Sequence, residues 1–187
     1  MRIISGKFKG KKLSQPIDNN TRPLKDITKE SIFNLITHSK YISLDFEKSN
    51  ILDLFAGSGS FGLECLSRNA KHVTFVENYK PAVNVLKKNV GELKLINNYE
   101  IIEKDVFDKK IYRYLNRKYN LIFLDPPYKE TKIQNLFSLI LDLKLLKKNA
   151  LVIIHRNKKI DDFIPTKFKI IDTRLYGISK IIFSKLR

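Results

Sequence analysis

The 187-residue chain is 43% hydrophobic and 29% charged, enough apolar material for a globular core, which excludes a fibre, a disordered tail or a repeat array. No apolar run approaches the roughly 18 residues that span a bilayer, and Met1 to Gly6 lacks the apolar block of a signal peptide, so a cytoplasmic protein with no membrane partner is expected. One cysteine, Cys65, rules out a disulfide framework, and 36 Lys plus Arg against 19 Asp plus Glu leave +17, a balance that points to nucleic acid. Because 28 of the basic residues are Lys, beside 24 Ile and 15 Asn, AT-rich coding produces the same skew, and charge alone does not decide the partner.

Along the chain, Arg2 to Gly6 and Lys11 to Pro16, joined by Lys7-Phe8-Lys9-Gly10, read as a small basic hairpin. Thr21-Arg22-Pro23 then breaks the chain before a helix over about Asp26 to Lys40, with Ile32, Leu35 and Ile36 on one face. From Asn50 the pattern alternates. Strands are expected at Ile51 to Phe55, His72 to Glu77, Tyr99 to Asp105, Tyr119 to Asp125 and Ala150 to His155. Helices are expected from Gly62 to Leu66, Pro81 to Leu93, Asp108 to Lys118 and Lys132 to Lys148. Buried strands alternating with helices predict a parallel sheet covered on both faces, an α/β Rossmann-like fold. Phe168 to Tyr176 and Ile178 to Leu186, joined at Gly177 with no helix between them, add an antiparallel hairpin. The expected organisation is a single domain over 1–187, with 1–40 as an amino-terminal hairpin and helix and 50–187 as the core.

In such sheets ligands bind beyond the carboxyl ends of the strands. The first strand runs into Asp53-Leu54-Phe55-Ala56-Gly57-Ser58-Gly59-Ser60-Phe61-Gly62, where glycines permit a tight turn and close approach of a ligand to the backbone. Gly57, Gly59 and Gly62 also match a dinucleotide fingerprint. Asp53, four residues before Gly57, separates the readings, because a carboxylate there suits a cationic ligand such as S-adenosylmethionine better than a pyrophosphate. Glu77 ends the next strand, where a ribose would need acceptors.

The most specific signal is Asp125-Pro126-Pro127-Tyr128. A nucleobase amine is a poor nucleophile because its lone pair is delocalised into the ring, so an enzyme must hold both amine hydrogens to draw it out of conjugation. Asp125 offers a carboxylate oxygen, and Pro126 a backbone carbonyl in a segment stiffened by two proline rings. Tyr128 offers a ring for an extruded base, with stacking worth about 1–3 kcal/mol.

These motifs resemble class I S-adenosylmethionine-dependent methyltransferases of amino nitrogens, and more closely the RsmD family, which methylates the exocyclic N2 of a guanine in bacterial 16S ribosomal RNA. The resemblance covers nearly the whole chain. It rests on Arg2 to Gly6 with Gly10 and Leu13; on Arg22-Pro23 with Asp26, Glu30, Phe33 and Asn34; on Asp53 to Arg68; on Val76-Glu77; on Asp125 to Tyr128; and on Tyr176-Gly177. It implies a seven-stranded sheet with the last strand antiparallel. It further implies that Asp53 and the Gly57/Gly59 turn hold the methionine part of S-adenosylmethionine, that Glu77 holds its ribose and Asp105 with Val106 its adenine, that Phe55 also belongs to the cofactor site, and that Asp125 to Tyr128 hold the guanine. The expected partner is 16S RNA within the small subunit or an assembly intermediate, bound by a monomer.

Departures from the family pattern are Leu24-Lys25 after Arg22-Pro23, Cys65 in place of a usual Ala, and His155-Arg156 at a strand end where relatives place an acid. Cys65 reads as a small core residue. His38, His72 and His155 lack metal-ligand spacing. Arg2, Lys7, Lys9, Lys11 and Lys12 around Phe8, with Arg22, read as a grip on RNA phosphates, whereas the paired lysines late in helices read as solvated faces. Two alternatives share parts of the pattern: an adenine-N6 methyltransferase of DNA or RNA, and a non-catalytic RNA-binding assembly factor.

Overall fold

The computed structural model describes residues 1–18, 24–95 and 97–187. Arg22, one of the residues expected to grip RNA, lies outside them. Helix α1 (Asp26–His38) precedes strand β1 (Asn50–Leu54), and α2 (Ser60–Ser67), β2 (His72–Val76), α3 (Lys80–Glu92) and β3 (Tyr99–Ile102) follow. Then come β4 (Tyr119–Leu124), α4 (Ile133–Asp142), β5 (Leu146–Asn157), β6 (Phe168–Tyr176) and β7 (Ser179–Leu186). They build a seven-stranded sheet in the order β3-β2-β1-β4-β5-β7-β6. The first five strands pair in parallel, and β7 runs antiparallel to both β5 and β6. The terminal hairpin is therefore present, with its second strand inserted beside β5.

Successive residues of a strand face opposite sides of the sheet, and the core divides accordingly. Ile51, Val73, Phe75, Leu121, Phe123 and Ile153 pack with Ile32, Phe33, Phe61, Leu63 and Leu86 from α1, α2 and α3. Leu52, Leu54, Val76, Ile122, Leu124, Val152 and Ile154 pack with Ile133, Leu136, Phe137 and Ile140 of α4. Cys65 is fully buried in the first cluster, as expected of a small apolar residue. Among the described residues no helix is long and apolar enough to cross a membrane.

Two expected helices are shorter than their sequence suggests. The segment 108–118 forms only a 3-10 turn, Lys109–Arg113, started by the Asp108 side chain accepting from Lys110 N. Ile111, Tyr112 and Leu115 are buried there while Asn116, Arg117 and Lys118 are exposed, so no apolar stripe carries the helix onward. Likewise α4 ends at Asp142, because Lys144 adopts φ 49° and Leu146 already pairs with Tyr119 as the start of β5.

The amino-terminal hairpin is reduced to one antiparallel bridge, Arg2 with Lys12, braced by Ile3 N to Lys11 O at 2.9 Å and Leu13 N to Met1 O at 3.0 Å. What holds it is α2. Glu64 accepts from Ile4 N at 2.7 Å and Ser5 N at 3.0 Å, while Lys7 N donates to Ser67 O at 2.8 Å and Phe8 N to Ser67 Oγ at 3.0 Å. Glu64 is itself fully buried against Lys29 at 3.8 Å, and Lys29 donates to the Arg2 carbonyl at 2.7 Å. Burial holds the Lys29 ammonium below its usual pKa, an effect that Glu64 opposes.

Candidate active site

A cavity of about 650 Å³ opens at the carboxyl ends of the parallel strands, within the size range of small-molecule sites. Continuation of the sheet ladder sets its walls: Ala56 N donates to Val76 O at 3.1 Å, Glu77 N to Ile102 O at 3.1 Å and Asp125 N to Leu54 O at 3.3 Å. Thus the residues just after β1, β2, β3 and β4 converge on one space. Asp53, Phe55, Gly57, Glu77, Asp105, Asp125, Pro126, Pro127 and Tyr128 all line it. Gly59 and Val106 stand behind the wall, the first as the N-cap of α2 and the second buried with its carbonyl accepting from the Tyr112 hydroxyl at 2.6 Å.

The turn after β1 is shaped for close backbone approach. Phe55 and Gly57 have φ of 63° and 56°, and Gly59 has φ 86° with a position at which a Cβ would lie 2.4 Å from Leu86 Cδ1. Only glycine fits there. Asp53, fully buried, accepts from Gly62 N at 3.0 Å and so ties β1 to the first turn of α2. Burial pushes its carboxyl well above the usual range, the Gly62 amide opposes this, and the like charges of Asp125 and Glu77 add to it. Glu77 accepts from Gly57 N at 2.8 Å through one oxygen, and from Asn78 N at 3.0 Å and Tyr79 N at 2.8 Å through the other. These bonds fix the carboxylate at the mouth of the turn.

Charge is sorted sharply around this cavity. Among the described residues its lining holds six carboxyl groups, those of Asp18, Asp53, Glu77, Asp105, Asp125 and Glu130, and no Lys or Arg, in a chain of net charge +17. Such a field favours a cationic ligand. Apolar wall is supplied by Phe55 and Phe107, in edge contact at 6.0 Å, and by Phe61 stacked on Phe123 at 3.9 Å.

Asp125 to Tyr128 leave β4 as a braced loop. Its far side is held by Arg156, buried on β5, which donates to Pro127 O at 3.2 Å and Glu130 O at 2.8 Å while paired through two nitrogens with Asp162 at 2.7 and 2.9 Å. On the near side, His155 Nδ1 lies 2.8 Å from Asp125 Oδ1, and His155 Nε2 lies 2.9 Å from Ser179 Oγ. The Tyr128 ring is edge-on to His155 at 6.3 Å.

Several lining residues carry no motif that marks them as part of a site. Phe107 follows Val106 and belongs to no motif. Gln15, Pro16, Asp18 and Leu24 reach the cavity from the amino-terminal segment. That segment is anchored by buried Asn89 of α3, which accepts from Ser14 N at 2.8 Å and donates to Ser14 O at 3.2 Å and Ser58 O at 2.9 Å. His155 and Arg156 stand out in sequence only as departures from the family pattern, although their place at a strand end is the signal that marks a site. Arg2, Lys7, Lys9, Lys11 and Lys12 are exposed, whereas Phe8 packs half-buried on the core with Lys7 Nζ 5.0 Å from its ring centre.

Sheet order, the strand-end cavity, the acid near the end of β1 and the acid just after β2 together define the class I S-adenosylmethionine-dependent methyltransferases. Within that class the chain belongs to the family described as conserved hypothetical protein 95, whose model matches residues 1–185. Ribosomal RNA small subunit methyltransferase D of Buchnera aphidicola subsp. Acyrthosiphon pisum is 37% identical over 163 residues, 87% of this chain and 81% of its own. The protein of that name from Haemophilus influenzae is 35% identical over 179 residues, 95% of this chain and 90% of its own. In three dimensions the chain is similar to Escherichia coli yhhF, assigned as a methyltransferase, with a TM-score of 0.82 at 25% identity over 100% of this chain and 98% of that one.

Proposed function

We propose that this protein uses S-adenosylmethionine to methylate the exocyclic N2 amine of a guanine in 16S ribosomal RNA, in the cytoplasm. The observation that carries the reading is the acidic strand-end cavity shared by Asp53, Glu77 and the Asp125 to Tyr128 loop. The cofactor fits that cavity on chemistry: its sulfonium and amino group are cationic, and the lining is acidic. When bound, it supplies an electrophilic methyl group on sulfur.

The chain's own residues divide the remaining work. Asp53 holds the turn through Gly62 and faces the methionine part, where a cation offsets the burial of its carboxyl. Glu77, with both oxygens oriented by backbone amides, accepts from the ribose hydroxyls, and Asp105, with the backbone at Val106 and the ring of Phe107, bounds the adenine. Asp125 and the Pro126 carbonyl accept the two hydrogens of the guanine amine; the Pro127 carbonyl is already engaged by Arg156 and by Glu130 N at 2.9 Å. Tyr128 supplies the ring for stacking. The amine nitrogen would take the methyl group as the sulfonium becomes a neutral thioether, and would pass its extra proton to solvent. Catalysis is positioning together with charge placed where the amine becomes cationic.

Labelled S-adenosylmethionine offered in parallel with naked 16S RNA, unmodified small subunits and DNA tests the reading, with nucleoside analysis of the product. N2-methylguanine in small-subunit RNA is expected; N6-methyladenine, or label in DNA, would overturn it. Asp125→Asn should retain cofactor affinity while single-turnover methylation falls by about 100-fold or more, the scale of losing one preorganised electrostatic contact.

A further inference from the structure

We infer that His155 is a positioning residue for the methyl-transfer step, a role that rests on the reading of Asp125 as the acceptor of the guanine amine. His155 is buried at the end of β5 and bridges two elements: its Nδ1 is 2.8 Å from Asp125 Oδ1, and its Nε2 is 2.9 Å from Ser179 Oγ at the start of β7. A carboxylate can only accept, so Nδ1 carries the proton in this contact and Nε2 meets the serine hydroxyl. The ring plane is then fixed at both ends. With Oδ1 committed to His155, the rotation of the Asp125 carboxyl is locked, and Oδ2 is left as the acceptor for the base.

The same ring meets Tyr128 edge-on at 6.3 Å, so one side chain braces both the acceptor and the stacking platform. The anchor behind it is rigid. Ser179 sits in register with Asn157 across the β5–β7 ladder, and Arg156, next to His155, holds the Pro127 and Glu130 carbonyls. Together the end of β5 grips the loop at three points, Asp125, Pro127 and Glu130. Misplacement of a reacting group by about 1 Å costs on the order of 100-fold in rate, so such bracing acts on turnover through Asp125.

A buried core histidine without this role would make the same contacts, and the paired amides separate the two. Asparagine places an amide N–H near the position of Nδ1, and glutamine near that of Nε2. With labelled S-adenosylmethionine and unmodified small subunits, His155→Asn should stay within a few-fold of the parent in single-turnover rate, whereas His155→Gln and His155→Leu should fall by about 10- to 100-fold. Cofactor affinity by calorimetry should be unchanged in all three. In a double-mutant cycle, His155→Leu should cost little once Asp125→Asn is in place.

The inference is overturned if Gln is as active as Asn, or if the rate losses of all three variants merely track their melting temperatures. Should His155→Leu fail to fold, the Asn and Gln pair decides alone. A fully active Asp125→Asn protein would instead bring down the reading of the acceptor, and this inference with it. A crippled Asp125→Asn protein beside a normal His155→Gln protein removes only the role of His155.

Discussion

In the proposed site, Asp53 sets stability against ligand binding in one side chain. It is fully buried, its hydrogen bond is to the Gly62 amide, and the charges acting on it from Asp125 and Glu77 have its own sign. The folded pKa is therefore raised above the unfolded one. Between the two values the folded chain holds more protons than the unfolded chain, so stability falls as pH rises through that window. Asp53→Asn keeps an acceptor for Gly62 and removes the titration. Its melting temperature without ligand should exceed that of the parent, by on the order of 1 kcal/mol of stability at neutral pH, and the gap should open as pH rises above about 4. Calorimetry should show weaker S-adenosylmethionine binding by the same variant. A less stable Asp53→Asn protein with undiminished affinity would mean that the carboxyl serves the fold and not the ligand.

At the scale of elements, the amino-terminal hairpin is one bridge with a few backbone bonds, and its place is set by docking on α2, helped by Lys29 of α1 and Asn89 of α3. Gly6, at φ 82°, sits where a Cβ would lie 1.9 Å from the Ser67 carbonyl oxygen, so any side chain there lifts the hairpin off the helix. Two variants separate the placement of the lysines from their charge. Changing Lys7, Lys9, Lys11 and Lys12 together to Gln should flatten the dependence of log K on log salt for RNA, by up to about 0.7 for each single-strand phosphate no longer neutralised, or about 0.9 for duplex. Gly6→Ala should weaken RNA binding at unchanged net charge, with cofactor affinity intact. Fluorescence anisotropy across a salt series reads both, and an unaltered slope in the lysine variant would return these residues to plain surface.

Burial on both faces and strand direction decide which elements the sequence reveals. Strands β1, β2 and β4 were legible because both faces are buried and the runs Ile51 to Leu54, His72 to Val76 and Leu121 to Leu124 are nearly continuous in apolar residues. Their ends located Asp53, Glu77 and Asp125 by a rule that needs only strand direction. The contributions of Asn89, Gln15 and Leu24 were not legible, since they arise from contacts across more than 20 residues of chain, such as Asn89 to Ser14 and Ser58. The span 108–118 misled because its lysines and tyrosines tolerate a helix that no apolar face sustains. His155 was visible as an odd residue at a strand end, but its pairing with Asp125 depends on the register that puts β5 beside β4.

Over the whole molecule, charge is segregated: an acidic cavity is set into a chain of net charge +17, with exposed lysines on the amino-terminal hairpin and in the loops. Three equilibria should therefore respond differently to one variable. Self-repulsion of the lysines opposes the compact state, and raising KCl from 0.01 to 0.1 M shortens the screening length from about 30 to about 10 Å. Stability should rise, by on the order of 1 kcal/mol, or about 2–4 °C in melting temperature at this chain length. RNA affinity should fall over the same range, because each phosphate contact releases counterions. Binding of S-adenosylmethionine should move little if it rests on Asp53 and Glu77 as proposed, because charges as buried as these are poorly screened. Chloride is the appropriate salt, because sulfate stabilises by exclusion from the surface whatever the net charge. A melting temperature that falls with KCl would show that surface ion pairs such as Lys80 with Glu103, at 2.8 Å, outweigh the repulsion. The segregation of charge would then matter for recognition alone.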